Sequence, residues 1–427
     1  MPLTRLWVEN FRCFSKRQEL EIRPITVVLG KNNSGKSALV RAPLVLSAGI
    51  LNSSPLPLDL ARLGDEPPEF VDLIHKRLGH GNVTIGFEFD DEIAGSVRID
   101  ATIQNIDEWQ TQVISQWAIR TAEMKASLEW LAAHDTENSD LRPYRIVMNG
   151  EPAEMGVRFK GLLLAQMSFW SPAWIQVFEI QARIRAGWDH IRHIGPFRTR
   201  PRRTNRPAGS SSISDDLDMR TIEVLIRDHI RGRGRLTSKI NEYLGDHIPG
   251  WELDVVPKYD AYSVGLKSKV ERGLWVALPD AGTGVAQVLP ILVRRAMDDL
   301  DPPAEDILEI VEEPELHLHP AAQAELADVF ASYVTATEKP RVRFLIETHS
   351  ETFLLRLRRR VAEGRLSPDM LALYYVASTG EAATAQRINV DQLGNVDHWP
   401  QGIFAEDFEE TKALTVAQIE RQDTDAG

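Results

Sequence analysis

The chain has 427 residues, 43% of them hydrophobic, and a formal net charge of −13, enough apolar material for a large core divided among two or three structural units. The acidic balance excludes a protein that coats nucleic acid with its whole surface, and the single cysteine, Cys13, with no zinc-type Cys/His spacing, excludes an internal disulfide and a structural zinc site. Apolar runs such as Ala42 to Leu51 fall short of the about 18 residues of a membrane span, and the N-terminus lacks a signal-peptide pattern, so a cytoplasmic location is expected.

The opening reads as strands. Leu3 to Val8 alternates, Phe11-Arg12-Cys13-Phe14 follows, and Ile25 to Leu29 is a continuous apolar run ending at Gly30, the pattern of a buried parallel strand. Ser37 to Ser47 is apolar on most faces and suits a helix packed under a sheet, with Pro43 expected to kink or end it. Val83 to Phe89 and Ser96 to Ala101 read as strands around an acidic turn. From Ile106 to Ala133 the spacing turns helical, placing Trp109, Trp117 and Trp130 on one broad apolar face. This segment belongs to an inserted region that continues through strands at Tyr144 to Met148 and Val157 to Leu164 to a helix from Pro172 to His190. The region holds no heptad array, which excludes a long coiled-coil arm.

His193 to Arg198 reads as a strand returning to the main body. Thr199 to Asp216, with Pro201, Pro207, Gly209 and Ser210 to Ser212, has the composition of a mobile loop. A helix from Leu217 to Leu244 and strands near Glu252 to Val256, Ala261 to Leu266 and Leu274 to Ala277 follow. Two basic clusters stand out against the acidic background: Arg198, Arg200, Arg202, Arg203 and Arg206, then Arg227, Arg231, Arg233 and Arg235. Solvated surface charge or a track for nucleic-acid phosphates accounts for them.

Gly30-Lys31-Asn32-Asn33-Ser34-Gly35-Lys36-Ser37 fits G-x-x-x-x-G-K-[ST] between an expected strand and an expected helix, the context in which this loop cradles phosphates. Gly30 and Gly35 permit the tight loop, so that backbone amides and the helix N-terminus surround the β-phosphate of ATP. Lys36 neutralises the β/γ-phosphates and the Ser37 hydroxyl coordinates Mg²⁺. Such a loop needs a carboxylate partner on a nearby strand, and Ile307 to Val311 followed by Glu312-Glu313 supplies one. Glu312 is expected to face the Mg²⁺ shell and Glu313 to act as general base on the attacking water, although Glu312 stands where Asp is more usual.

Glu312-Glu313-Pro314-Glu315-Leu316-His317-Leu318-His319-Pro320 resembles the extended Walker B and D-loop of ABC-type ATPases of the RecF, SMC and overcoming-lysogenization-defect (OLD) group. Asn10 to Phe14 is similar to that group's N-terminal motif, whose arginine, here Arg12, lies near the nucleotide. Asp280-Ala281-Gly282-Thr283-Gly284-Val285-Ala286-Gln287 resembles its variant signature motif, and Phe344 to Ser350 its switch-histidine strand. The resemblance implies an α/β fold: an ABC-type P-loop ATPase head with mixed parallel and antiparallel sheets and an inserted mixed α/β lobe. It implies an N-terminal ATPase lobe over 1–95, an inserted, partly helical lobe over 96–190, a C-terminal ATPase lobe over 191–385 and a small C-terminal domain over 386–427.

It also implies a homodimer in which two heads sandwich two nucleotides. Asn32, Asn33 and Ser34 then line the phosphate loop, Gly282, Thr283 and Gly284 meet the γ-phosphate in trans, and His349 contacts it in cis. Departures are present. His319 sits where many such proteins place an aspartate, and either Glu69 to Leu73 or His193 to Arg198 fills the place of the Q-loop. The acidic Toprim nuclease segment of OLD proteins is not seen, while Ile388 to Phe404 resembles a small domain of unknown function found on such bacterial ATPases. A separate effector or nuclease in anti-phage defence is therefore the expected partner, with a RecF-like DNA-binding ATPase in DNA repair as the alternative.

Overall fold

The computed structural model describes residues 3–52, 54, 56–64, 66–137, 139–168, 172–188, 190–206, 217–245, 250–399 and 406–425. The chain opens with β1 (Leu3–Glu9), β2 (Gln18–Glu21) and β3 (Ile25–Gly30), which enters the phosphate-type loop ahead of α1 (Lys36–Val40) and α2 (Ala42–Ile50). A single turn, α3 (Phe70–Leu73), precedes a seven-strand meander: β4 (Asn82–Asp91), β5 (Gly95–Ile106), β6 (Thr111–Arg120), β7 (Lys125–Trp130), β8 (Arg142–Met148), β9 (Glu151–Lys160) and β10 (Leu163–Met167). Helix α4 (Pro172–Trp188) leads to β11 (Ile191–Ile194). Next come α5 (Leu217–Arg227), α6 (Arg235–Leu244), β12 (Trp251–Lys258), β13 (Ala261–Ser268), β14 (Trp275–Ala277) and α7 (Thr283–Leu300). The last elements are β15 (Ile307–Glu312), α8 (Pro320–Thr335), β16 (Val342–Glu347), α9 (Glu351–Ala362), β17 (Leu371–Ser378), β18 (Ala383–Ile388) and α10 (Glu406–Asp425). No helix among the described residues is long and apolar enough to cross a membrane.

The strands form a nine-stranded sheet ordered β10-β9-β8-β7-β6-β5-β4-β1-β2, a six-stranded sheet ordered β11-β15-β16-β3-β17-β18, and a three-stranded sheet ordered β12-β13-β14. The α/β class with both parallel and antiparallel sheets is thus the observed one. In the six-stranded sheet β3 lies between β16 and β17, parallel to both, and every residue of β3 except Gly30 is buried. That is why its sequence is apolar without alternation. One face of this sheet shares a core with α1, α2, α4 and the nine-stranded sheet. The other packs on α8 and α9. A third core joins α5, α6 and α7 to the three-stranded sheet.

Several elements differ from expectation. The helix expected from Ile106 to Ala133 is instead the strands β6 and β7. The cause is a bulge: Thr102 pairs with Gln116 but Ile103 with Ile114, so Ser115 is left over. Val113 and Ile114 are both buried and Trp117 follows three residues later, and this break in the two-residue alternation imitates helical spacing. Trp117 is core, while Trp109 and Trp130 meet edge to face at 6.0 Å between ring centroids. Phe11 to Phe14 is a turn closed by a Phe11–Phe14 bridge rather than a strand.

The expected strand Val157 to Leu164 is a hairpin that turns at Gly161. Gly161 has φ +63, and a side chain there would strike the Gly49 carbonyl of α2. The expected helix from Leu217 to Leu244 breaks after a π-helical turn, at Arg233 and Gly234, which both adopt left-handed conformations. The helix after the phosphate-type loop ends at Arg41 and restarts with Pro43 in its first turn, a position that proline tolerates. Most of the expected mobile loop (207–216) and the tail residues 400–405, Phe404 among them, lie outside the described residues.

Glu309 sits inside β15, and both it and Arg295 of α7 are fully buried and paired. Arg295 also bonds Asp298 at 3.0 Å and lies over the rings of Tyr333 and Phe344 at 4.6 and 4.7 Å. Removing one partner of such a buried pair is strongly destabilising because the other charge stays desolvated. With Asp298 remaining near Arg295, and Arg192 3.8 Å from Glu309, Arg295→Met and Glu309→Gln are each expected to lose stability at the lower end of about 3–5 kcal/mol in denaturant unfolding. The double variant is expected to recover part of that loss.

Candidate functional site

The parallel strands β3, β15 and β16 end side by side at Gly30, Glu312 and Glu347, the sheet edge at which open α/β folds bind ligands. The loop from Gly30 leaves β3 with Asn33 (φ 61) and Gly35 (φ 106) in left-handed conformations. A side chain at Gly35 would strike the Cys13 sulfur, so the close packing of the N-terminal turn on the loop requires glycine there. Lys36 is 3% exposed, and its Nζ donates to the Lys31 carbonyl at 2.8 Å. Burial lowers its pKa, partly offset by the attraction of Glu347. Ser34 is also buried, and its hydroxyl has no hydrogen-bond partner.

Ser37 Oγ donates to Glu347 Oε1 at 2.8 Å, and Lys36 Nζ lies 3.9 Å from the same oxygen. Burial, with repulsion from Glu312 and Glu313, raises the Glu347 carboxyl to about 7 even though it accepts from Ser37. Glu313 has φ 43, a conformation disfavoured for a residue with a side chain, and its backbone N–H donates to the Glu347 carbonyl at 2.8 Å. Its Oε1 lies 3.9 Å from His349 Nε2. Burial and the charge of Lys36 lower the His349 pKa to about 4, so the ring is neutral at physiological pH. One ligand atom from each of Glu313, Glu347 and His349 falls within 4.8 Å of the others. Hydroxyl and carboxylate oxygens are the donors that Mg²⁺ takes alongside phosphate, so these residues fit a nucleotide-bound cation.

Glu312 is otherwise engaged. Arg41 grips it with two bonds of 2.7 Å, and His193 Nε2 lies 2.7 Å from Oε1. Burial pushes its carboxyl up, but the bonds from His193 and Arg41 outweigh that and hold it below the ordinary range. Glu315, also buried, accepts the His349 backbone N–H at 2.6 Å, and burial raises its pKa. Arg12 is half-buried with Nε lacking a hydrogen-bond partner; burial and the nearby charge of Arg41 lower its pKa.

The signature segment starts α7, with Gly282 at the helix cap and Thr283 as its first residue. Gly284 lies against the backbone of His317 and the side chain of Leu318, and Asp280 pairs with Arg203 at 2.6 Å. Among the described residues no hydrogen bond or ion pair joins Gly282, Thr283 or Gly284 to the Gly30–Ser37 loop within one chain. His319 caps α8, accepting from Ala321 N at 3.3 Å.

Arg198 does not belong with an exposed basic cluster. It is 5% exposed and donates to the carbonyls of Gln287 at 2.9 Å, Glu312 at 3.0 Å and Glu313 at 3.3 Å. Arg206 pairs with Asp260 at 2.8 Å, and Arg200 and Arg202 are exposed. Sequence reasoning did not single out Arg41 or Glu347 as site residues, and it placed His193 only at the start of a segment offered for the Q-loop. For Glu347 the signal was present, an acid ending an apolar strand, as at Glu312. For Arg41 there was none, since only its tertiary contact with Glu312 distinguishes it, and the contact of His193 with the same acid is likewise tertiary.

The family described as "AAA ATPase domain" matches residues 1–143 and 239–354, and the family described as "Protein of unknown function (DUF3696)" matches residues 366–414. No curated protein matches the chain. Among solved structures, the chain is similar to the SmcHead bound to the C-winged helix domain of ScpA, at 12% identity and TM-score 0.49, covering 91% of this chain and 98% of that one. The SMC head domain from Thermotoga maritima gives 10% identity and 0.43, covering 91% and 100%. The Smc head domain with an extended coiled coil bound to the C-terminal domain of ScpA, derived from Pyrococcus furiosus, gives 11% and 0.48, covering 98% and 99%. With the loop at the end of β3 and the AAA ATPase match over more than half its length, the chain belongs to the AAA ATPase domain family.

Proposed function

We propose that the chain binds ATP with Mg²⁺ at the Gly30–Ser37 loop and hydrolyses it as an ABC-type pair of heads. That cycle gates a separate effector or nuclease in anti-phage defence. The observation that carries the reading is the meeting of Lys36 and Ser37 with Glu313, Glu347 and His349 at one sheet edge. Lys36 exchanges the Lys31 carbonyl for the phosphates, a stronger charge-assisted partner. Glu313 takes the proton of the attacking water as general base, and neutral His349 hydrogen-bonds the γ-phosphate. Thr283 and Gly284 of a second copy complete the site, with the N-terminus of α7 adding positive potential. The effector half of the reading rests on the resemblance of the motifs to the OLD group.

Exposed Arg200 and Arg202 support a second reading, a RecF-like DNA clamp. Salt-dependent DNA binding that collapses when both are replaced favours the clamp. A nuclease that co-purifies with a head of little DNA affinity favours the first reading.

Lys36→Ala is expected to weaken ATP binding by about 1.5–3 kcal/mol, roughly 10- to 150-fold in Kd by calorimetry. Glu313→Gln is expected to keep ATP binding and cut phosphate release by about 10²- to 10⁴-fold, accumulating an ATP-bound dimer in sedimentation. Turnover like that of the wild type in this variant would remove Glu313 as base. His349 titrates at about 4 in the fold, against about 6.5 for a free imidazole. Between those values the unfolded chain binds the extra proton, so this group's contribution to stability falls as pH drops through that window. His349→Gln is therefore expected to lose less stability on acidification than the wild type, measured by denaturant unfolding across it.

A further inference from the structure

Two acids end neighbouring strands at the nucleotide edge, and their surroundings differ in kind. Glu312 has both oxygens satisfied, by a two-pronged Arg41 and by His193, and its charge is balanced within the protein. Glu347 is 3% exposed. Its Oε1 accepts the Ser37 hydroxyl, Lys36 stands beyond hydrogen-bond reach at 3.9 Å, and Oε2 is buried with no hydrogen-bond partner. A buried carboxylate oxygen left without a donor is a costly arrangement unless something positive completes it. The hydroxyl it touches belongs to the loop residue expected to hold Mg²⁺. The register explains the placement: β16 lies between β15 and β3, pairing Glu347 with Glu312 on one side and Val28 on the other. The end of β16 is therefore nearer the phosphate loop than the end of β15.

We propose that Glu347, not Glu312, is the carboxylate that with Ser37 holds the divalent cation of the bound nucleotide. Glu312 instead anchors Arg41 and His193. The assignment rests on the ATP site proposed above and adds the identity of its cation ligand. It also separates the roles of the acids: Glu313 stands 3.9 Å from His349, free to serve water, while Glu347 faces the loop.

The test uses the full chain and two readouts other than turnover. One is the affinity for a fluorescent ATP analogue with Mg²⁺ and with chelator. The other is ATP-dependent capture of Mn²⁺, followed by loss of the free-ion signal in electron paramagnetic resonance. Glu347→Gln is expected to lose about 10- to 100-fold in cation affinity while binding metal-free ATP at least as well as the wild type, which also shows that the variant is folded. Glu347→Asp, which keeps the charge on a shorter arm, is expected to capture Mn²⁺ better than Glu347→Gln. Glu312→Gln is expected to keep the Mg²⁺ dependence of binding. Wild-type Mn²⁺ capture by Glu347→Gln, or loss of Mg²⁺ dependence in Glu312→Gln instead, would overturn the assignment and leave the ATP site standing. A wild-type chain that binds no ATP with or without cation would overturn both.

Discussion

The site is organised by an excess of negative charge. Glu312, Glu313, Glu315 and Glu347 gather at one end of a parallel sheet around a single buried lysine, Lys36. Two like charges about 4 Å apart repel by about 4 kcal/mol at an effective dielectric of about 20, a large share of the about 5–15 kcal/mol that holds a domain folded. Each acid meets this differently. Glu312 is held by Arg41 and His193, Glu315 turns to the backbone of His349, and Glu313, with its backbone in a left-handed conformation, lies beside His349. Glu347 keeps an oxygen with no hydrogen-bond partner, and burial raises its carboxyl to about 7. An edge built this way attracts cations, and a polyphosphate brought to it gains from carrying one.

The same region is mechanically tied to α7. At one end of the contact, Arg295 and Glu309 lock the helix to β15 inside the core. At the other, the Arg198 guanidinium joins the Gln287 carbonyl of α7 to the carbonyls of Glu312 and Glu313. Two separated attachments tie α7 to the end of β15 and to the Glu313 backbone. In the proposed pair of heads, a second copy meeting the start of α7 would touch the segment that Arg198 joins to Glu313.

What the sequence made legible follows the range of the interactions. The phosphate loop, its strand and its helix were readable because they lie within a short span and each residue type has a local reason. Glu313 and His349 were readable as polar residues closing apolar strands. Arg41 was not, and His193 was read only as part of a Q-loop candidate, because their shared partner is one carboxylate 271 and 119 positions away. Arg198 was grouped with its neighbours by composition, although a burial that no pattern announces separates it from them. The misread helix between Ile106 and Ala133 shows the complementary failure. One unpaired residue, Ser115, alters the period that distinguishes strand from helix.

The nine-stranded sheet touches the helix pair behind the phosphate loop at two places far apart in its strand order. Near β1 and β2, the turn carrying Cys13 presses on Gly35. At the opposite edge, the β9–β10 hairpin sets Gly161 against Gly49 of α2, and Leu162 N donates to the Gly49 carbonyl at 3.1 Å. Together the sheet and the helix pair make a closed band. A band fastened at both ends cannot swing as a lever; it can only tighten or relax around what it encloses.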